Sequence, residues 1–168
     1  MVAANQQIGR YTLLRRLASG GMGEVYLAKS AGAANFSKQV AIKCILPHLA
    51  QNQDVVQKFI DEANLMVQLH HGSLVPVIEL FQANLQFYLV MEYVPGRDLK
   101  SVLRTLKRKK IFMPASVALW VVKLLCEALG YAHHKTDSNG DSLNIIHRDV
   151  SPSNVILGAA GEVKLLDF

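Results

Sequence analysis

The spacing of apolar residues along the chain predicts a sheet with one inserted helix in the first half. Residues 11–27 hold two apolar runs around a glycine cluster, and 40–45 is a compact β-branched run, so three strands are expected here. Over residues 55–69 apolar positions recur at intervals of three and four, which predicts an amphipathic helix. Residues 74–81 and 87–94 are again strand-like. The first ninety or so residues therefore predict a five-stranded antiparallel sheet.

The pattern changes after Pro95 and Gly96, where a lobe boundary is expected, giving lobes at 1–94 and 95–168. Residues 98–109 predict a short helix with an acidic start and a basic end. Residues 114–134 predict a longer helix with an apolar stripe.

Two short apolar runs near the end of the chain, at 155–157 and 163–166, predict a last hairpin. The expected fold class is α+β, with a sheet-rich first lobe and a mainly helical second lobe.

Composition favours a folded chain without nucleic-acid contacts. Apolar residues make up 51% and charged residues 18%, and the net charge is +5. Much of that charge lies in residues 107–110, a run more typical of a solvated helix end than of a nucleic-acid surface. No aromatic residue interrupts the run, so base stacking has no support.

The cysteines, the N-terminal residues and the most apolar window together predict a cytoplasmic protein. Cys44 and Cys126 lie far apart among apolar neighbours and are expected to be buried free thiols. The N-terminal residues show no signal-peptide pattern. The window 117–129 is interrupted by Lys123 and Glu127 and is too short to span a bilayer, so no membrane segment is expected.

A glycine-rich segment, Ser-Gly-Gly-Met-Gly-Glu-Val at residues 19–25, lies between two predicted strands. Residues without a Cβ let backbone N–H groups approach phosphate oxygens, although a purely structural turn is at least as common. A dinucleotide-binding loop needs a helix after the glycines, whereas residues 24–27 are strand-like. The pattern therefore favours a phosphate-covering hairpin over a dinucleotide oxidoreductase.

A lysine and a glutamate are expected to pair. Lys43 ends the run 40–43, and a lysine in a buried strand is costly unless its charge is neutralised. Glu62, on the inner side of the predicted helix, is the candidate partner. The alternative is that Lys43 lies at a surface edge and Glu62 is a solvated helix residue.

The octet His-Arg-Asp-Val-Ser-Pro-Ser-Asn at residues 147–154, followed by Asp167 and Phe168, resembles the catalytic loop and the start of the Asp-Phe-Gly motif of protein kinases. Together with Val-Ala-Ile-Lys at 40–43, it is most similar to bacterial serine/threonine kinases of the eukaryotic-like type. The resemblance covers residues 8–168, about the first three-fifths of a kinase domain, and implies a complete first lobe and an incomplete second one.

The resemblance implies a role for each motif residue. Asp149 would be the base, and Asn154 and Asp167 would hold Mg²⁺ on the phosphates of ATP. Lys43 and Glu62 would form the phosphate-contacting pair, and His147 would pack against Phe168. Residues implied to contact the nucleotide are Leu17, Ala18, Ser19, Gly20, Gly21, Met22, Gly23, Val25, Ala41, Lys43, Met91, Glu92, Val94, Asp98 and Ile156.

Two positions depart from the family pattern. Ala18 stands where the first glycine is usual, and Ser151 stands where serine/threonine kinases usually carry a lysine that touches the transferred phosphate.

The function expected from the resemblance is transfer of the γ-phosphate of Mg-ATP to serine or threonine of an unidentified protein, in signalling. The alternative is a catalytically inactive nucleotide-binding or interaction module. An incomplete second lobe would leave the apolar stripe of 114–134 exposed and allow self-association.

Overall fold

The computed structural model describes residues 6–32 and 36–168, which divide into two units. The first comprises its described residues up to Gln68 together with Pro76–Tyr93, and the second comprises Leu69–Val75 and Val94–Phe168. The segment Leu69–Val75 thus groups with the second unit, although the sequence predicts one lobe over 1–94. Hydrogen bonds explain this grouping, because Leu165 donates its N–H to the Ser73 carbonyl and accepts from the Val75 N–H.

The first unit contains a six-stranded antiparallel sheet with the order β1-β2-β3-β4-β6-β5. The predicted number of five strands was wrong. The additional strand, β1, has only two residues, too few to produce an alternating pattern. The strands are β1 Gln7–Ile8, β2 Tyr11–Ser19, β3 Gly23–Ala31, β4 Ser37–Ile45, β5 Val77–Ala83 and β6 Gln86–Glu92.

Helix α1, Gln53–Met66, follows β4 and is capped by its own sequence. The side-chain oxygen of Asn52 accepts hydrogen bonds from the N–H groups of Asp54 and Val55. The helix buries Phe59, Ala63 and Met66, which lie on one face at three- and four-residue spacing. It ends three residues before the predicted position, since the buried Leu69 belongs to the segment that joins the second unit.

The hydrophobic core of the first unit lies on one face of the sheet, because side chains alternate along each strand. Stacked rings of Tyr11, Phe81 and Tyr88 run across it, with centroids 5.6 and 5.3 Å apart. The buried residues of this core are Ile8, Tyr11, Leu13, Tyr26, Ala28, Val40, Ile42, Cys44, Tyr88 and Val90.

The second unit combines two helices with a small antiparallel sheet of order β7-β8-β9. Strand β7 was not predicted, because the dipeptide Pro95-Gly96 is typical of a turn or a boundary between lobes. Glycine is needed there for packing, since a Cβ on Gly96 would overlap the Leu157 carbonyl on β8. The elements are β7 Gly96–Asp98, α2 Leu99–Arg108, α3 Ala115–His133, a 3₁₀ turn Pro152–Asn154, β8 Val155–Gly158 and β9 Val163–Leu165.

Helix α3 corrects the prediction that both cysteines are buried. Cys126 on α3 is exposed, so only Cys44 of the two free thiols is buried as expected. The helix is also longer than the predicted apolar window: its 19 residues are long and apolar enough to cross a membrane by length and composition alone. Core helices of soluble proteins pass the same test. Such helices are mostly buried, whereas only 17% of the most apolar window of α3 is buried.

Candidate functional site

The predicted nucleotide-binding residues of the first unit lie on the face of the sheet opposite its core. Val25 on β3 is directly opposite Lys43 on β4, and Ala41 on β4 is opposite Met91 on β6. Because Ala41 and Lys43 are two residues apart, these four side chains share one face. The sheet thus gathers residues from three strands that are far apart in the sequence.

The glycine-rich segment closes the hairpin between β2 and β3. The Gly20 N–H donates to the Gly23 carbonyl at 2.8 Å, and the strand register shifts between Arg16 and Ala18, which marks a bulge that includes Leu17. A Cβ on Gly23 would lie 2.6 Å from the Cys44 carbonyl oxygen, whereas nothing lies within 4 Å of one on Gly21. Gly23 is therefore needed by the sheet itself, while Gly21 leaves backbone open to a ligand.

A buried carboxylate stabilises the base of this hairpin. Glu24 accepts hydrogen bonds from the Tyr26 hydroxyl at 2.6 Å and from Arg16 Nη1 at 2.7 Å. These two contacts lower the pKa of the Glu24 carboxyl, Tyr26 contributing most. Burial and the nearby Glu24 carboxylate raise the pKa of the Cys44 thiol to about 11, so this thiol is unreactive at neutral pH. The sequence alone did not predict these contacts of Glu24, because Arg16 and Cys44 lie on neighbouring strands that meet it only when the sheet forms.

The ion pair that the sequence predicts is present: Lys43 Nζ lies 2.5 Å from Glu62 Oε1. The two side chains are 18% and 22% exposed, so water screens the pair only partly. Helix α1 thereby fixes the ammonium group on the face of β4 opposite the core of the sheet.

Four further residues that the resemblance implies to contact the nucleotide lie at the end of β6 and before α2. Met91 and Val94 are buried, and Glu92 donates its N–H to the Pro76 carbonyl at 3.0 Å, so that donor is not available to an adenine ring. Asp98 begins α2, where its Oδ1 accepts from the Ser101 N–H at 2.7 Å. Asp98 thus caps α2 through Oδ1, and the nucleotide contact that the resemblance implies for this residue stays a prediction.

In the second unit the structure brings Asp149 and Asn154 together. Asn154 Nδ2 donates to the Asp149 carboxylate oxygen Oδ2 and to the Asp149 carbonyl, both at 2.9 Å. Asp149 is exposed, and its carboxylate is oriented by this one amide. Such an exposed, oriented carboxylate is able to accept a proton from a hydroxyl group.

Leu166 links the octet at 147–154 to the residues that follow β9. Its N–H donates to the Asn154 carbonyl at 2.8 Å, and its own carbonyl lies 2.8 Å from His147 Nε2. The tautomer with hydrogen on Nε2 satisfies this contact and leaves Nδ1 to accept from the Asp149 N–H at 3.3 Å. Asp167, next to Leu166, is therefore held near Asn154.

The ring of His147 also packs against Phe168, with centroids 4.6 Å apart, which is the contact that the sequence predicts. His147 is 5% exposed, so it supports the loop rather than meeting a ligand. Ile156 is half-buried on β8, opposite Asp98 on β7.

The donor atoms of this unit suit Mg²⁺. Because the amide nitrogen of Asn154 is engaged by Asp149, its oxygen remains for a cation, and Asp167 is the second oxygen ligand that the resemblance implies. Across residues 6–32 and 36–168 there is no group of three or more His, Cys, Asp or Glu that could hold a metal ion. Mg²⁺ does not need one, since it is usually bound by one or two protein oxygens, water and substrate phosphates.

Comparison with known proteins decides the family. The protein kinase domain family matches residues 11–168. The chain belongs to the protein kinase family. Over 168 residues it is 44% identical to the tyrosine-protein kinase MasK of Myxococcus xanthus, and over 166 residues it is 33% identical to the serine/threonine-protein kinase PknD of Chlamydia trachomatis serovar D. These alignments include 100% and 95% of this chain but only 26% and 17% of the relatives.

A solved structure agrees with this assignment. The kinase domain of PknI from Mycobacterium tuberculosis matches with a TM-score of 0.76 and 28% identity, over all of this chain and 61% of that one. The predicted kinase-like α+β fold is thus confirmed, with a first lobe and part of a second.

Proposed function

We propose that this kinase-family chain takes part in ATP- and Mg²⁺-dependent phosphorylation of serine or threonine in a protein substrate. The observation that carries the proposal is the contact of Asn154 with the Asp149 carboxylate. It orients the one exposed carboxylate of the octet at 147–154 and, at the same time, leaves the amide oxygen of Asn154 unoccupied by this contact.

Each unit has a separate part in this reaction. In the second unit, Asp149 accepts the proton of the attacking hydroxyl, and Asn154 and Asp167 would hold Mg²⁺, which supplies positive charge beside the phosphates. In the first unit, Lys43 is held by Glu62 and places a further positive charge on the nucleotide phosphates. The residues around Val25, Ala41 and Met91 offer an apolar surface to the base.

A radiolabelled-phosphate assay tests the proposal. The 168-residue chain with Mg-ATP and a generic acceptor protein should transfer phosphate, and Asp149→Asn should lower the rate by at least about 100-fold because the base is removed. Mg-ATP should stabilise both proteins against heat to a similar extent, since the amide oxygen that the substitution introduces can still accept from Asn154 Nδ2. Stabilisation by Mg-ATP without transfer in the unsubstituted chain would favour the inactive nucleotide-binding module.

A second candidate is phosphorylation of tyrosine. It is favoured by the name of MasK, a relative with 44% identity. Hydrolysis of the labelled acceptor and separation of phosphoserine, phosphothreonine and phosphotyrosine distinguish the two. We expect label on serine and threonine; label on phosphotyrosine alone would contradict that specificity.

A further inference from the structure

Helix α2 and the two residues after it hold enough positive charge to account for the whole net charge of the protein. Residues 100–110 contain six Lys and Arg and no Asp or Glu. The chain has 18 basic and 13 acidic residues and a net charge of +5, so without these six cations the net charge would be −1. We call these six residues the basic ridge: Lys100, Arg104, Lys107, Arg108, Lys109 and Lys110.

The helix places most of the basic ridge on one face. Lys100 is followed by Arg104, Lys107 and Arg108, at intervals of four, seven and eight residues, which lie along one side of an α-helix. All six side chains are exposed. Within the part of the chain that the structure describes, none of them forms an ion pair. A row of unneutralised cations favours an anionic partner.

Lys110 occupies a backbone position where glycine is usual. Its φ of 55° is left-handed, and the end of α2 has the Schellman pattern: the Lys110 N–H donates to the Lys107 carbonyl and the Ile111 N–H to the Leu106 carbonyl. A residue with a Cβ is strained there by about 1 kcal/mol relative to glycine. A lysine at this point therefore costs backbone strain, which favours a use for its side chain.

Two exposed apolar side chains follow the basic ridge directly. Phe112 is 92% exposed and Ile111 is 53% exposed. A soluble polyanion requires only the cations, whereas cations beside exposed aromatic and aliphatic residues are typical of segments that lie on anionic membranes. The side chains of Ile111 and Phe112 are placed to enter the boundary between headgroups and acyl chains.

We propose that the basic ridge, with Ile111 and Phe112, binds this protein to the surface of an anionic lipid bilayer. The cations contact the headgroup phosphates, and the two apolar side chains insert beneath them. This is peripheral binding by α2 and its C-terminal end, independent of the catalytic residues and of any crossing of the membrane by α3.

Vesicle cosedimentation tests the proposal. The 168-residue chain should bind vesicles of phosphatidylcholine with one third phosphatidylglycerol, and it should not bind phosphatidylcholine alone. Raising the salt from about 0.1 M to about 0.5 M should weaken binding by at least about tenfold, because the attraction is screened. Binding to both kinds of vesicle alike would contradict a role for the basic ridge.

Charge variants locate the surface. Replacing Lys107, Arg108, Lys109 and Lys110 by Gln should weaken binding to the anionic vesicles by at least about tenfold. The matched control replaces Arg15, Lys29, Lys38 and Lys58 by Gln, which removes the same charge from exposed positions of the first unit and should have little effect. Equal loss in both variants would mean attraction by net charge alone and would overturn the proposal.

Two single substitutions separate a lipid surface from other polyanions. Phe112→Ser should weaken vesicle binding several-fold and leave binding to soluble RNA or polyglutamate unchanged. Lys110→Gly should weaken vesicle binding while raising the thermal stability, so that loss of binding is not mistaken for loss of folding. Unchanged vesicle binding by Phe112→Ser, with tight binding to either polymer, would overturn the lipid assignment in favour of that polymer.

Discussion

At the scale of single residues, Lys43 and Glu62 carry the nucleotide-binding assignment of the first unit. The sequence offers Lys43 as a lysine in an apolar strand, and the structure pairs it with Glu62 at 2.5 Å. Removing the ammonium group breaks the ion pair with a partly buried carboxylate and removes the charge expected to meet phosphates. Both consequences are measurable.

Lys43→Met should abolish the thermal stabilisation by Mg-ATP. A ligand raises the melting temperature only in so far as it binds the folded state, so the shift reports nucleotide affinity directly. Lys29→Met removes an exposed lysine of β3 and serves as a control that should keep the full shift. An undiminished shift in Lys43→Met would count against the whole nucleotide-site assignment.

Glu24→Gln should lower the free energy of unfolding by about 2 kcal/mol at neutral pH, because a buried charge-assisted pair of hydrogen bonds is weakened. Its pKa in the folded state is below the ordinary value of 4.5, so its stabilisation is complete above that pH and is lost as the pH falls through the folded-state pKa. Urea denaturation of both proteins from pH 7 to pH 3 should therefore show a difference that shrinks toward acid. A difference independent of pH would contradict the role given to the carboxylate.

At the scale of elements, the glycines of the hairpin between β2 and β3 have different roles. One is required by strand packing and the other is expected to admit a phosphate, and the sequence motif does not distinguish them. Gly23 lies against the Cys44 carbonyl, so it belongs to the packing of β3 on β4. A Cβ added to Gly21 would have no atom within 4 Å, so packing in the described structure does not require glycine at this position. Substitution at the two positions should therefore affect different properties.

Gly23→Ala should destabilise the protein by about 1–3 kcal/mol, since its Cβ overlaps backbone that has little room to move. Gly21→Ala should change the free energy of unfolding by less than about 0.5 kcal/mol but reduce stabilisation by Mg-ATP, because a Cβ there would obstruct close approach of phosphate. Thermal denaturation with and without nucleotide measures both effects. Full nucleotide stabilisation in Gly21→Ala would exclude contact of this residue with phosphate.

At the scale of the whole molecule, α3 leaves a large apolar surface uncovered. Leu119, Val122 and Trp120 are 70%, 54% and 44% exposed, whereas Val121, Ala128 and Ala132 are buried. Exposed apolar surface of this kind favours association with a second copy. We therefore expect the predicted self-association to occur through this exposed face of α3.

The double substitution Leu119→Glu and Val122→Glu should reduce self-association, because charges on this face oppose burial against another copy. Sedimentation velocity over a range of concentrations should show a smaller rise of the sedimentation coefficient than in the unsubstituted chain. Ser138→Glu, in an exposed polar loop, is the control and should leave the rise unchanged. A concentration-dependent rise that persists in the double variant would exclude this face.

Local patterns in the sequence determined most of the elements and the family. Helices α2 and α3, the long strands and the last hairpin follow from apolar spacing and capping residues, because these signals depend on neighbouring residues alone. The motifs at 40–43 and 147–154 likewise indicated the kinase family before any contact was known. The roles assigned to their residues remain predictions that the substitutions test.

Contacts between distant residues were decided only by the tertiary structure. Strand β7 depends on pairing with β8, and backbone atoms of Leu166 make its link to the His147 ring and to the Asn154 carbonyl. Glu24 meets Arg16 because β2 and β3 pair. The exposure of Cys126 depends on what packs against α3. Apolar spacing describes one element at a time, whereas these features depend on which surfaces meet when the chain folds.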